Sequence, residues 1–169
     1  MKTVALLLLL TGLLAPGQGW QNNYDEALNF VCPASQSISS ITSENNNVRE
    51  DRVWDFGCHP TKYQSGCYWT SNLNDFDQLV LFECPAQYVI TGMSSYHSNT
   101  HEDRRWKLYC CKSSSVSASC HWTTYVNNFD ENFHWTVPSG NVLVGIHSYH
   151  QNQQEDRRWA YKYCVQDNR

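Results

Sequence analysis

A carboxylate pair, a guanidinium and an indole recur at fixed spacing in this chain. The copies are Glu50-Asp51-Arg52-Val53-Trp54, Glu102-Asp103-Arg104-Arg105-Trp106 and Glu155-Asp156-Arg157-Arg158-Trp159. Such a set could grip a charged or hydroxylated ligand, because Arg presents a planar fork of donors and carboxylates accept them. It could equally lock a scaffold, with Trp supplying buried area and the ionic groups tying a turn to a strand. Asp51, Arg52, Trp54, Asp103, Arg104, Trp106, Asp156, Arg157 and Trp159 occupy shared positions. A structural role is the expectation for them, and residues that differ between copies are the better ligand candidates.

Two sets differ. On a strand, Arg104, Trp106, Leu108 and Cys110 share one face, and Arg105, Lys107, Tyr109 and Cys111 the other. The later copies set Arg105 with Lys107, and Arg158 with Lys162, on the outward face, where the first copy has Val53 and Asp55. Such basic spots suit sulfate or carboxylate on a glycan, although an exposed strand face is often merely solvated. The later copies also share Ser95-Tyr96-His97 and Ser148-Tyr149-His150, each before a polar turn with Asn99 or Asn152; the first has Ser43-Glu44-Asn45. Rings stack on sugar faces and amides bond hydroxyls, so Tyr96, His97, Tyr149 and His150 join the glycan-binding candidates. Cross-strand packing of aromatic residues is the competing role.

Catalysis has little support. No spacing matches a nucleophile elbow, and neither a His-rich metal motif nor a Gly-rich phosphate loop is present. No catalytic residue, metal or cofactor is expected. The net charge of -4 also argues against a nucleic-acid partner.

The elements that position these residues follow from the repeat. Asp51, Asp103 and Asp156 are 52 and 53 residues apart, an internal period that outranks local propensity. Asp25 to Pro33, Asp77 to Pro85 and Asp130 to Pro138 align, and Trp20, Trp69 and Trp122 are taken as equivalent. Strands are expected at 37–43, 88–97 and 141–150, each followed by a polar turn and the motif strand. Units of this size must share one core. The prediction is a single all-β, disulfide-rich domain of three pseudo-symmetric repeats, at about 18–60, 67–112 and 120–166. A β-prism is the first choice and a trefoil-like barrel the second.

Residues 1–17 read as a secretory signal peptide, with Lys2 before a Leu-rich run and small residues after it. The domain then covers 18–169, is secreted, and does not insert in a membrane. In an oxidising compartment the 8 cysteines read as disulfides. Cys32 and Cys84 share one repeat position and Cys58 and Cys110 another; the third repeat has Val137 and Tyr163 there. Cys67 and Cys120 share a third position and Cys111 and Cys164 a fourth, and the first repeat lacks both. Classes that vanish together should pair, giving Cys32–Cys58, Cys84–Cys110, Cys67–Cys111 and Cys120–Cys164.

The Asp-Arg-x-Trp motifs, Cys-Pro at Cys32 and Cys84, Tyr109-Cys110-Cys111, and Cys-x-Trp at Cys67 and Cys120 resemble the dermatopontin family over essentially the whole mature chain. The resemblance implies a secreted, non-enzymatic adhesive protein of the extracellular space or matrix. Its implied partners are glycans or sulfated proteoglycans, cell-surface receptors and matrix proteins. The family's matrix members carry an acidic, Tyr-rich extension, of which only Tyr24-Asp25-Glu26 remains here. That leans towards the hemagglutinin and amebocyte aggregation branch, with a structural component organising collagen and proteoglycan as the alternative.

Overall fold

The computed structural model describes residues 19–62 and 65–167; the expected signal peptide lies outside them. Among the described residues every regular element is a strand. In chain order these are β1 (Leu28–Val31), β2 (Gln36–Asn46), β3 (Asp51–Pro60), β4 (Ser65–Trp69), β5 (Val80–Glu83) and β6 (Tyr88–Ser98), followed by β7 (Asp103–Lys112), β8 (Val116–Trp122), β9 (Phe133–Thr136), β10 (Asn141–Gln151) and β11 (Asp156–Gln166). The long hairpins β2–β3, β6–β7 and β10–β11 each end in one copy of the motif. Their pairing registers shift at corresponding places, Ile38/Ser40, Ile90/Gly92 and Leu143/Gly145.

Each hairpin borrows a short strand from elsewhere in the chain. The sheet orders are β1-β6-β7-β4, β5-β10-β11-β8 and β3-β2-β9. Thus β1 docks on the second hairpin, β5 on the third, and β9 returns to the first. This exchange is cyclic, so no hairpin can complete its sheet from its own repeat. Among the described residues the β3-β2-β9 sheet has three strands. Trp69 and Trp122 lie on β4 and β8, five residues before Asn74 and Asn127, whereas Trp20 precedes Asn22 by two. Asn22, Asn74 and Asn127 accept from Trp54, Trp106 and Trp159 N–H respectively, which fixes the correspondence. Trp20 is therefore not the counterpart of Trp69; it stands where Asn72 and Tyr125 stand.

The core is shared by all three sheets. Trp54, Trp106 and Trp159 are 0%, 1% and 0% exposed. Their rings meet edge to face, with centroids 5.1, 5.2 and 4.8 Å apart. That is the geometry aromatic quadrupoles favour. Ile38, Ile90 and Leu143, with Ile41, Met93 and Ile146, pack around them.

The bridges are Cys32–Cys58, Cys67–Cys111, Cys84–Cys110 and Cys120–Cys164, the pairs selected by repeat position. The 26-residue loops join β1 to β3 and β5 to β7, and so staple neighbouring sheets. The 44-residue loops join β4 to β7 and β8 to β11 within a sheet. By chain entropy they contribute about 3.5 and 4 kcal/mol each. Adjacent residues on β7 face opposite ways, so Cys110 and Cys111 serve different bridges. At the unbridged junction Val137 is buried in the core and Tyr163 packs against the same cluster.

Candidate functional site

The motif ion pairs form a closed ring. Arg104 donates from Nε and Nη2 to Asp51 at 2.6 and 2.6 Å. Arg157 bonds Asp103 in the same way at 2.6 and 2.7 Å, and Arg52 bonds Asp156 at 2.6 and 2.7 Å. All six residues are buried. The sequence reading had Asp and Arg tie a turn to a strand. The structure shows instead that each Arg reaches the Asp of another motif copy, because the inward face of one motif strand abuts the neighbouring turn. Each Arg also donates to a main-chain carbonyl, of Glu26, Gln78 or Glu131. Each Asp accepts the main-chain N–H of Asp25, Asp77 or Asp130. Each guanidinium thus spends its Nε and Nη2 donors inside the ring, which fits a structural role for the arginines.

Asn22, Asn74 and Asn127 are components that sequence reasoning missed. Each is buried and brackets the motif strand, its amide donating to Arg52, Arg104 or Arg157 carbonyl. The signal was legible as Asn-x-Tyr/Phe-Asp at 22–25, 74–77 and 127–130.

The turn glutamates crowd one end of the ring. Glu50, Glu102 and Glu155 adopt left-handed φ of 47, 44 and 44°, unusual for a side chain of this size. They line a small cavity of about 20 Å³ above the tryptophans. Burial raises the Glu155 carboxyl above its usual range; nearby Glu50, Asp77 and Glu102 add to this, and His150 opposes it. A raised folded-state value means the ionised form is disfavoured on folding. The group's stability contribution is present below the ordinary carboxylate range and is lost as pH rises through the raised value. Glu155→Gln is therefore expected to raise the melting temperature at neutral pH. The advantage should vanish at acid pH, where the wild-type carboxyl is protonated in both states. Melting curves of both proteins across pH check this, and a variant less stable at neutral pH would contradict it.

The surface candidates separate into different environments. His97 and His150 are not at the surface: their side chains are 0% and 1% exposed. They bond Asn99 and Asn152 respectively and face inward carboxylates. On the outer face, Arg158 donates to Asn127 carbonyl and Tyr149 hydroxyl, and lies over the Tyr125 ring. Lys162 is held by Glu83 at 2.7 Å, above Trp122. The expected basic pair of the third repeat is thus internally engaged. Arg105 pairs with Asp75 at 2.7 Å and covers Phe76. Lys107 makes no ion pair among the described residues.

One groove does bring candidates together. Tyr96, Arg105 and Lys107 line a recess of about 200 Å³ with Asn29, Asn72 and Ser94. It is composite: β1 places Asn29 opposite Ser94, and Asn29 accepts the Ser94 hydroxyl at 2.8 Å. The exchange of β1 explains why Asn29 could not be foreseen beside Tyr96.

The same groove recurs elsewhere with other chemistry. Beside β9 it measures about 320 Å³ and is lined by Trp20, Thr42, Glu44, Asn132 and His134. Glu44 stands in the Tyr96 position, and Asp55 in that of Lys107. Beside β5 the corresponding residues Leu79 and Leu81 are 51% and 59% exposed. The framework thus presents a basic groove beside β1 and an acidic one beside β9, and exposes two leucines beside β5.

Residues 22–168 match the family model described as Dermatopontin. The chain is 43% identical to the Hemagglutinin/amebocyte aggregation factor of Limulus polyphemus over 167 residues, 97% of each chain. It is 42% identical to Millepora cytotoxin-1 of Millepora dichotoma, covering 85% of this chain and 65% of that protein. Identity to the Dermatopontin of Biomphalaria glabrata is 36%, over 82% of this chain and 95% of the relative. No solved structure matches. By family model and relatives alike, this chain belongs to the dermatopontin family.

Proposed function

We propose that this chain is a secreted, non-enzymatic adhesive protein that binds anionic glycans through the Tyr96–Arg105–Lys107 groove and so promotes cell adhesion or aggregation. The carrying observation is that groove: Lys107, free of ion pairs among the described residues, beside an aromatic ring and amide side chains. The Limulus relative named for hemagglutination and aggregation supports the adhesive reading. Among the described residues no helix is long and apolar enough to cross a membrane. We read the three sheets as the faces of a β-prism about a pseudo-threefold axis, which would display one groove per junction. The acidic groove beside β9 would repel sulfate.

Lys107→Ala is expected to weaken binding to a sulfated polysaccharide while shifting stability by no more than about 0.5 kcal/mol. Lys162→Ala should leave binding close to wild type, since its ammonium is tied to Glu83. Binding should also weaken as salt rises, since exposed charges are screened over about 8 Å at physiological ionic strength. Immobilised heparin with both variants decides it. Loss of binding in Lys162→Ala but not in Lys107→Ala would overturn the assignment.

A further inference from the structure

We propose that Asp25, Asp51 and His97, completed by Glu102, form a binding site for one divalent metal ion, and that the ion is zinc. The residues meet where the turn before β1 packs against the β6–β7 hairpin. The potential ligand atoms of Asp25, Asp51 and His97 all lie within 4.8 Å of one another. The imidazole is fully enclosed, at 0% exposure. Its Nδ1 is 3.0 Å from Asn99 Oδ1 and 3.8 Å from Asp25 Oδ1. Its Nε2 is 3.9 Å from Asp51 Oδ1 and 3.6 Å from Glu102 Oε2.

The unexplained atom is that Nε2. It is buried and has no hydrogen-bond partner. If Nδ1–H donates to Asn99, Nε2 turns a lone pair towards Asp51 Oδ1 and Glu102 Oε2, and an Asp25 carboxylate oxygen lies within 4.8 Å of the Asp51 ligand oxygen as the third carboxylate. Both gaps from Nε2 are too long for hydrogen bonds. They are close to the separation of two ligands on one ion: zinc bonds of about 2.0–2.2 Å at a tetrahedral angle set ligands roughly 3.4 Å apart. A cation there would turn mutual repulsion into shared coordination. Imidazole with carboxylates suits zinc, whereas calcium takes oxygen ligands throughout.

The surrounding charge permits it. Arg104 already pairs with Asp51, and Arg49 with Asp25. Three carboxylates less two guanidiniums leave one negative charge around the imidazole. The arrangement is also repeated at the next junction. His150 Nδ1 lies 3.6 Å from Asp77 Oδ1 and its Nε2 3.5 Å from Glu155 Oε2. There too His150 Nε2 and Asp77 Oδ1 are buried without partners. At the junction closing the ring, the His position is Asn45, which offers no imidazole.

The test uses the oxidised, secreted chain, stripped with chelator and titrated with zinc alone against a chromogenic competitor. Wild type is expected to take up zinc and to melt at higher temperature with zinc than with chelator. His97→Asn, which copies the residue at position 45, should lose the equivalent bound at this site. Asp25→Asn is the second probe, because Asn tolerates the left-handed φ of 65° at that position. His150→Asn should retain the Asp25–His97 equivalent. Failure of folded wild type to bind zinc would overturn the proposal. So would wild-type uptake by both His97→Asn and Asp25→Asn. A melting temperature that ignores both zinc and chelator would overturn it too.

Discussion

Arg104→Ala is expected to destabilise the domain by about 3–5 kcal/mol, enough to leave a protein of ordinary stability close to unfolding. The substitution strands the Asp51 carboxylate, whose side chain is 2% exposed and receives both short guanidinium bonds. The loss is mainly the penalty of an uncompensated buried charge, not the net value of the pair. Pairing it with Asp51→Asn should therefore recover part of the loss, since a neutral amide costs less to bury than a lone carboxylate. Asp51 also accepts the Asp25 N–H, so recovery will be incomplete. Arg157→Ala and Arg52→Ala should behave alike, because their paired bonds to Asp103 and Asp156 repeat those of Arg104 to Asp51. Denaturant unfolding of the oxidised proteins measures the differences. A loss below about 1 kcal/mol for Arg104→Ala, with no recovery in the double variant, would remove the ring from its place in the fold.

The parts legible in sequence were those encoded by repetition. The motif strand, the inward setting of Arg104 and Trp106 and the cysteine classes follow from comparing copies. What stayed hidden was the exchange of strands between repeats. Asn29 belongs to the first repeat by position but serves the groove of the second, because β1 pairs with β6. Arg104 similarly finds Asp51, 53 residues away. A periodic sequence specifies each unit, but whether a segment joins its own unit or the neighbour depends on tertiary packing. The glycan candidates show a related gap. Ser-Tyr-His alternates along a strand, so Tyr96 is 41% exposed while His97 turns inward. Period two alone separates them, whereas grouping Tyr96 with His97 assumed a common face. Lys162 illustrates the other limit. Its outward setting was foreseeable, but its partner Glu83 arrives on the exchanged strand β5.

Trp106→Ala is expected to cost about 3–5 kcal/mol, the range for emptying a large aromatic from a packed core. Trp106 is 1% exposed and touches both other motif rings edge to face, at 5.1 and 4.8 Å. Removing it leaves a cavity where three sheets meet, so no one sheet can relax to fill it. The effect should therefore reach all three repeats. Trp54→Ala and Trp159→Ala should cost similar amounts, and the double variants should be non-additive, because each pair shares contacts with the remaining ring. Trp106→Phe should be milder, since it keeps an aromatic edge while removing about one ring. The disulfides will hold part of the chain together in these variants, so circular dichroism in the aromatic region should be followed together with calorimetric melting. Groove residues lie on the opposite face of β7 from Trp106, so any Trp106→Phe protein that folds should keep its heparin affinity. A Trp106→Phe protein with wild-type melting but lost heparin binding would move the tryptophans from core to ligand site.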